Sequence, residues 1–136
     1  MTPPHSISTD QTMFYRPWII ASIRSSYWGQ WQSVAKIDAA INNSLCFGLY
    51  VDEGGPYQIG FARVLTDRSV LSALTDVVIR DGYRSKGYGT TLVRAVLDHQ
   101  DVRPTLCILD CRPENEAFYA RLGFERKRNV MQAGPR

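Results

Sequence analysis

The sequence of 136 residues, with 44% hydrophobic and 21% charged side chains, fits a single globular domain over residues 1–136 and excludes a multidomain assembly. An aromatic content of 11% excludes a disordered chain, and no run of about eighteen apolar residues is present that would span a membrane. Sixteen Lys and Arg residues against thirteen Asp and Glu residues give a formal charge of +3, an excess too small to indicate a nucleic-acid partner.

The N-terminus and the cysteines bear on the cellular location. Residues Met1 to His5 contain no basic region followed by an apolar one, so the sequence indicates no secretory signal. Cys46, Cys107 and Cys111 do not have the spacing of a zinc site, and their odd number fits free thiols in a reducing compartment. We therefore expect a cytoplasmic protein with neither a disulfide framework nor a metal site.

The first third of the chain predicts a short strand and two helices. The strand covers Ile7–Asp10, and apolar residues at spacings of three and four predict a helix from Tyr15 to Ile23, with Pro17 in its first turn. The aromatic residues at 27–31 indicate a loop. Ser33 is then a candidate N-cap for the second helix.

Three apolar segments in the middle of the chain predict strands. They run from Ser44 to Val51, from Gln58 to Thr66 and from Ala73 to Ile79. The glycines and the proline of residues 52–56 predict a turn between the first two strands. The three segments are therefore expected to form an antiparallel meander.

The second half of the chain alternates between helix and strand. Residues 82–89 form a basic loop with three glycines, and residues 90–99 present one apolar helical face. A strand is predicted at residues 105–109, a helix at residues 115–122 and a last strand from Phe124 onward. The resulting order βααβββαβαβ predicts a mixed sheet with helices on its faces.

The loop after the third strand of the meander is the most informative segment. Gly82, Gly87 and Gly89 let the backbone approach a ligand closely, and the N–H groups at the start of a helix attract anions such as phosphate. Arg84 and Lys86 add positive charge. The alternative is a turn that uses its glycines only to start a helix.

Two common phosphate-binding motifs do not fit this loop. A P-loop needs Lys and then Ser or Thr directly after its second glycine, where this chain has Tyr88 and Gly89. A dinucleotide fingerprint counted from Gly87 and Gly89 needs Gly or Ala at the position of Leu92. The pattern that is present is Arg84-x-x-Gly87-x-Gly89, between an apolar strand and an amphipathic helix.

This pattern resembles motif A of the GNAT superfamily of N-acetyltransferases, in which it cradles the pyrophosphate of acetyl-CoA. Residues Asn115 to Phe124 are similar to motif B of the same family, a short helix that carries a tyrosine and runs into Leu-Gly-Phe. The two motifs have the family's order, and the roughly thirty residues between them are filled by one helix and one strand. The resemblance covers residues 44–127. It implies the GNAT fold, an α+β architecture of three α/β/α layers with a mixed, mostly antiparallel central sheet and about four helices.

The resemblance also implies acetyl-CoA as the acyl donor, without a metal, and a set of site residues. The backbone of Val77, Val78 and Ile79 would pair with the pantetheine arm, and the Val78 amide would support the thioester oxygen. Tyr119 would act as general acid toward the departing thiolate. The pyrophosphate would be held by Arg84, Ser85, Lys86, Gly87, Tyr88, Gly89 and Thr90.

The acceptor side has fewer candidates. Asp76 precedes the pantetheine-binding residues, where family members often carry an acidic group that faces the acceptor amine. It could act as a base, directly or through water, or bind the ammonium group; the alternative is a carboxylate paired with a nearby arginine. Tyr27 and Trp28 are candidate walls of the acceptor pocket, although such aromatic residues also form plain core.

Two features depart from the family pattern. Many members have an Asn about two helical turns before the tyrosine, whereas here Arg112 occupies that region. Asn115, the candidate CoA ligand, lies only four residues before Tyr119. After Phe124, residues Arg128 to Gln132 are the material for a last strand, so a homodimer that covers the sheet edge is expected as an alternative to a monomer.

The function implied by the resemblance is acetyl-CoA-dependent acetylation of a primary amine on a small molecule, amino acid or peptide, by direct attack in a ternary complex. Two alternatives stay open: another acyl-CoA donor, and a non-catalytic CoA-binding sensor on the same fold. Nucleic-acid binding through Arg126, Lys127 and Arg128 is disfavoured by the modest charge. The expected partners are therefore acetyl-CoA and a small amine, with neither nucleic acid nor membrane.

Overall fold

The computed structural model describes residues 4–127 and 130–135. The strands are β1 (His5–Ser8), β2 (Leu45–Asp52), β3 (Pro56–Thr66), β4 (Leu71–Ile79) and β5 (Leu106–Leu109). The α-helices are α1 (Arg16–Ser25), α2 (Val34–Asn42), α3 (Tyr88–Asp98) and α4 (Glu116–Ala120). Short 3-10 turns cover Gln11–Met13 and Pro113–Asn115.

The five strands form one sheet in the order β1-β2-β3-β4-β5. The pairs β1–β2, β2–β3 and β3–β4 are antiparallel. The pair β4–β5 is parallel, because α3 carries the chain back across the sheet. The predicted mixed and mostly antiparallel sheet is confirmed. The pairing of β3 with β4 is irregular between Arg63 and Val64, so that Thr75 forms a bulge in β4 just before Asp76.

Helices cover both faces of the sheet, which confirms the three-layer architecture. On the face that we call the α1/α2 face, Ile19, Ile23, Ile37 and Ile41 pack with Tyr50 and Phe61 in one core cluster. On the opposite α3/α4 face, residues of α3 and α4 pack with Phe47, Leu49 and Ile59. Each fully buried Ile or Leu side chain contributes roughly 1.5–3 kcal/mol to folding.

Local signals in the sequence account for the helix starts. Pro17 lies in the first turn of α1, where its missing N–H leaves no helical hydrogen bond unmade. The Ser33 side chain caps α2 by accepting a hydrogen bond of 3.1 Å from the Lys36 amide. Both predictions are confirmed.

The predicted strand from Phe124 onward is wrong for the residues that the structure describes. Residues 124–127 and 130–135 have no strand structure, and Arg128 lies outside the described residues. Two consecutive charged side chains there pair locally, Arg126 with Glu116 and Lys127 with Glu125. The Arg126–Glu116 pair thus connects this segment to α4, and its described residues do not extend the sheet beyond β5.

The ends of the remaining elements differ slightly from the prediction. The first strand begins at His5 and ends at Ser8, because the Asp10 side chain accepts a hydrogen bond from the Thr12 amide and starts a turn. The last helix is shorter than predicted, since residues 113–115 form a separate 3-10 turn. Within the described ranges, no helix combines the length and apolar character needed to cross a membrane.

Candidate active site

A gap opens in the sheet where β5 stops following β4. The two strands pair from Leu71 with Leu106 to Leu74 with Leu109, and β4 then continues to Ile79. In the described part of the chain, residues 75–79 have a strand neighbour only on the β3 side. We call this opening the β4–β5 gap; residues 75–79 form one wall, and residues 110–112, directly after β5, form the other.

The alternation of β4 decides which amides face the gap. The Arg80 amide donates to the Ile59 carbonyl of β3 at 2.7 Å. Because residues of an antiparallel pair alternate in their hydrogen bonding, Val78 also directs its N–H to β3, and Val77 and Ile79 direct theirs to the gap. The Val78 amide, assigned above to the thioester oxygen, is therefore turned away, and that of Val77 lies on the open side.

The glycine loop leads from the end of β4 into α3. Gly82 and Gly87 have φ angles of +89° and +88°, a conformation that other residues rarely adopt. Gly87 is the N-cap of α3 and supplies no side chain to the free N–H groups of the first turn. A Cβ atom on Gly82 or Gly87 would meet nothing within 4 Å, so space is open beside the loop. Uncapped amides, a helix N-terminus and open space fit a diphosphate group.

The other residues predicted around this loop divide into two groups. Arg84, Ser85 and Lys86 are exposed, and Arg84 is paired with Asp81 at 3.3 Å. Tyr88, only 3% exposed, has its ring in the core, so its backbone alone can contact a ligand. Thr90 is half-buried in the first turn of α3.

Gly89 and Asn115 connect the glycine loop to α4. A Cβ atom on Gly89 would lie 3.3 Å from Cζ of Phe118, so the small residue lets α3 approach α4 closely. Asn115 is exposed at the N-cap position of α4, and its side chain makes no capping hydrogen bond. Its amide group is directed neither into the core nor into the helix end.

Tyr119 lies in α4 on the α3/α4 side of the gap. Its ring is half-buried between Phe118 and Phe124, with centroid distances of 4.9 and 5.8 Å. Burial, together with smaller contributions from the nearby Cys111 and Tyr27, raises the pKa of its hydroxyl to about 12. The hydroxyl is therefore protonated at neutral pH, and its electrostatic partners lie at the gap.

Asp76 sits in the wall of the gap and is 2% exposed. Its Oδ1 accepts a hydrogen bond of 2.5 Å from Nε1 of Trp28, and its Oδ2 accepts one of 2.6 Å from Nε of Arg63. Arg63 also donates to Oγ of Ser44 at 3.1 Å. Removing one partner of such a buried ion pair costs about 3–5 kcal/mol of stability. Both carboxylate oxygens therefore already accept a hydrogen bond. This agrees with the alternative that Asp76 is a carboxylate paired with a nearby arginine.

Tyr27 and Trp28 belong to the segment between α1 and α2, and the structure brings both to the gap. The Tyr27 ring lies edge-on to Trp28 at 5.0 Å, and the guanidinium of Arg112 stacks over it at 4.7 Å. Trp28 and Tyr27 thus connect β4, through Asp76, with the segment after β5. Trp31 on the same segment is 85% exposed.

Asp110 is a site candidate that the sequence analysis missed. Along β5, Cys107 and Leu109 pack toward the α3/α4 core while Leu106 and Ile108 are exposed, so Asp110 continues the alternation on the α1/α2 face. Asp110 is exposed; burial raises the pKa of Tyr27 and of Cys111, and the charge of Asp110 adds to both shifts. Its carboxylate therefore interacts electrostatically with the aromatic wall of the gap.

A comparison with protein families identifies this arrangement. Residues 42–126 match the model of the acetyltransferase (GNAT) domain. The chain belongs to the GNAT acetyltransferase family. A GNAT-family structure from Xanthomonas campestris pv. campestris superposes with a TM-score of 0.88, is 29% identical, and the match covers 99% of this chain and 96% of that one.

Other GNAT relatives share part of the chain or the fold alone. Mycothiol acetyltransferase of Acidothermus cellulolyticus is 33% identical over 62% of this chain, which amounts to 26% of its own length. The chain spans a quarter to a half of the curated relatives that it matches. An aminoglycoside N-acetyltransferase in complex with CoA shares the GNAT fold, with a TM-score of 0.71 and 16% identity over 100% of this chain and 97% of that one.

Proposed function

We propose that this GNAT protein transfers the acetyl group of acetyl-CoA to a primary amine of a small molecule, amino acid or peptide, by direct attack in a ternary complex. The observation that carries the proposal is the β4–β5 gap, with an uncapped glycine loop at its end and two different sides. The donor enters from the α3/α4 side beside Tyr119. The acceptor enters from the α1/α2 side beside Tyr27.

The donor is held mainly by backbone groups. The amides of residues 85–90 bind the pyrophosphate, and the exposed Arg84 and Lys86 neutralise its charge. The Val77 carbonyl and the Ile79 N–H, which face the gap, pair with the amides of the pantetheine arm, as an added strand would. The Ile79 carbonyl already accepts a hydrogen bond of 3.1 Å from Nε of Arg84. Asn115 is exposed next to α4 and is available to the same arm.

Bond making and bond breaking occur at the acetyl carbon. The neutral amine nitrogen forms the new C–N bond, and the Val77 N–H supports the negative charge that develops on the thioester oxygen. The C–S bond then breaks, and the Tyr119 hydroxyl gives its proton to the CoA thiolate. The proton that the amine loses passes to solvent, and Tyr119 regains its own from solvent.

The acceptor amine needs a carboxylate on its side of the gap. Asp76 lies there, but its oxygens already accept hydrogen bonds from Trp28 and Arg63. Asp110 is exposed on the same face, and its charge acts on Tyr27. We therefore assign binding of the incoming ammonium, and removal of its proton through water, to Asp110.

The non-catalytic alternative keeps the donor site and lacks turnover. A sensor would bind CoA through the same glycine loop, and it would need neither Tyr119 at the gap nor a carboxylate facing the acceptor side. The protonated, half-buried Tyr119 hydroxyl favours the enzyme. Nucleic-acid binding has less support, since Arg126 and Lys127 are paired with glutamates and Arg128 lies outside the described residues.

Asp110→Asn is expected to lower kcat/KM for amine acetylation by about tenfold or more, because the amide carries no charge for the ammonium. The assay measures thiol release from acetyl-CoA with a panel of amino acids, aminosugars and short peptides. Glu125→Gln, an exposed acid paired with Lys127, is the control and should stay within about twofold. An unchanged kcat/KM of Asp110→Asn would show that this residue does not belong to the acceptor site. CoA binding by the wild-type protein without turnover on any amine would favour the sensor.

A further inference from the structure

One buried polar network joins the aromatic segment of residues 26–31, called here the aromatic loop, to the sheet. Trp28 donates to Asp76 of β4 at 2.5 Å, and Arg63 of β3 donates to the other oxygen of Asp76 at 2.6 Å. Arg63 reaches further to Oγ of Ser44, which in turn donates to the Ala40 carbonyl of α2 at 2.6 Å. The network therefore links the loop, two strands and the end of α2.

The aromatic loop is also fixed at its start and across the gap. The Ser26 hydroxyl accepts from the Gly29 amide at 3.1 Å, and a Cβ atom on Gly29 would collide with the Ile23 carbonyl oxygen. Tyr27 reaches the segment after β5 through the guanidinium of Arg112. Trp28 supplies the hydrogen bond that ties the loop to β4, beside the position where the thioester would lie.

The geometry points to a positioning role for Arg63, Asp76 and Trp28 in the proposed acetyl transfer, on which this inference rests. Arg63 fixes the Asp76 carboxylate, and Asp76 fixes the Trp28 indole by a hydrogen bond. The indole contacts the Tyr27 ring and so positions the aromatic loop over the acceptor side of the gap. The loop so placed keeps bulk water from the acetyl thioester. Asp76 thus acts through Trp28 and does not take the proton of the amine.

The buried position of the network favours this role over base catalysis. A base must reach the amine, but Asp76 is 2% exposed and has each oxygen in a charge-assisted or indole hydrogen bond. Trp28, by contrast, is partly exposed and lies edge-on to Tyr27. The buried charges therefore set the position of aromatic rings that themselves face the gap.

Trp28→Phe tests the inference because it removes the indole N–H, keeps an aromatic ring and leaves the Arg63–Asp76 pair intact. Trp31→Phe is the matched control, since Trp31 lies on the same loop and is 85% exposed. Three quantities are measured: the Kd of acetyl-CoA by calorimetry, CoA release by water without any amine, and the rate at which iodoacetamide labels Cys111. Cys111 is partly buried and interacts electrostatically with Tyr119 at the gap.

Trp28→Phe should leave the Kd within about twofold and raise both water-driven CoA release and Cys111 labelling about fivefold or more, whereas Trp31→Phe behaves as wild type. Release and labelling rates within about twofold of wild type in a folded Trp28→Phe protein would overturn the inference. If that variant does not fold, Arg63→Lys is measured in its place. It keeps the positive charge but loses the planar set of guanidinium N–H donors, and it should raise CoA release and Cys111 labelling in the same way. Failure of wild type to bind acetyl-CoA would defeat the proposed function instead, while Cys111 labelling would still test the loop.

Discussion

Gly87→Val is expected to weaken acetyl-CoA binding by about a hundredfold or more. This factor corresponds to the loss of several backbone hydrogen bonds to phosphate. Gly87 has a φ angle of +88° and caps α3, and β-branched residues strongly disfavour this conformation. A Cβ atom at this position would point into open space, with no protein atom within 4 Å. The added side chain would instead fill the space beside the amides that hold the pyrophosphate.

The control separates backbone strain from loss of the binding site. Gly54, in the turn between β2 and β3, has a φ of +78° and equally open surroundings. Gly54→Val should cost a similar 1–3 kcal/mol or so of stability and leave the Kd of acetyl-CoA almost unchanged. Calorimetry on both variants, with thermal unfolding as a check, measures this difference. Comparable affinity in the two valine variants would show that the glycine loop does not hold the donor.

Tyr119→Phe is expected to lower kcat by about ten- to a hundredfold, because the CoA thiolate would leave without a positioned proton donor. The substitution keeps the ring that packs between Phe118 and Phe124, so the fold and the Kd of acetyl-CoA should change little. Thiol release at saturating donor, together with calorimetry, measures the two effects. An unchanged kcat would mean that water or another group supplies the proton.

The raised pKa of Tyr119 gives this variant a pH signature. Its folded-state pKa of about 12 lies above the ordinary value of 10, so the hydroxyl stays protonated through the neutral and mildly basic range. The ratio of wild-type to Tyr119→Phe rates should therefore be constant from about pH 7 to pH 9. Because the folded state binds this proton more tightly, its contribution to stability is full below about pH 10 and is lost as the pH rises toward 12. A ratio that falls toward one by pH 9 would contradict the protonated acid.

The sequence predicted those parts of the fold that depend on local chemistry. Pro17, Ser33 and the apolar spacing of α1 and α2 act within one or two helical turns, so the pattern is readable without the rest of the chain. The strand after Phe124 failed because its formation depends on the edge of β5. That region carries Glu125, Arg126 and Lys127, which pair with nearby charges in place of an apolar strand partner.

The candidate site was predictable where the backbone decides it. The glycine loop was recognised from its glycine spacing: Gly87 takes a positive φ angle, and Gly89 lets α3 approach Phe118 closely. The pairing of Arg63 with Asp76 had a usable signal: a hairpin that joins the predicted strand ends at Thr66 and Ala73 puts these two residues opposite each other. The direction of the Val77 and Val78 amides had none, since the register of β4 against β3 decides it.

Asp110 was not predictable in the same way. It follows a four-residue strand, and nothing in its local sequence shows that the Tyr27 loop, more than eighty residues earlier, lies beside it. Its role depends on which face of β5 it continues and on how far β4 extends past Leu74. Both are properties of the assembled sheet.

Calorimetric titration of the purified, folded protein with acetyl-CoA tests whether the glycine loop and β4 bind the acyl donor, with CoA, ATP and NAD as comparison ligands. We expect one-to-one binding of acetyl-CoA and CoA, because the loop and the open edge of β4 hold the pyrophosphate and the pantetheine arm together. ATP and NAD, which lack that arm, should bind far more weakly. Absence of acetyl-CoA binding by the folded protein, or equal binding of all four ligands, would contradict the assignment of this donor site.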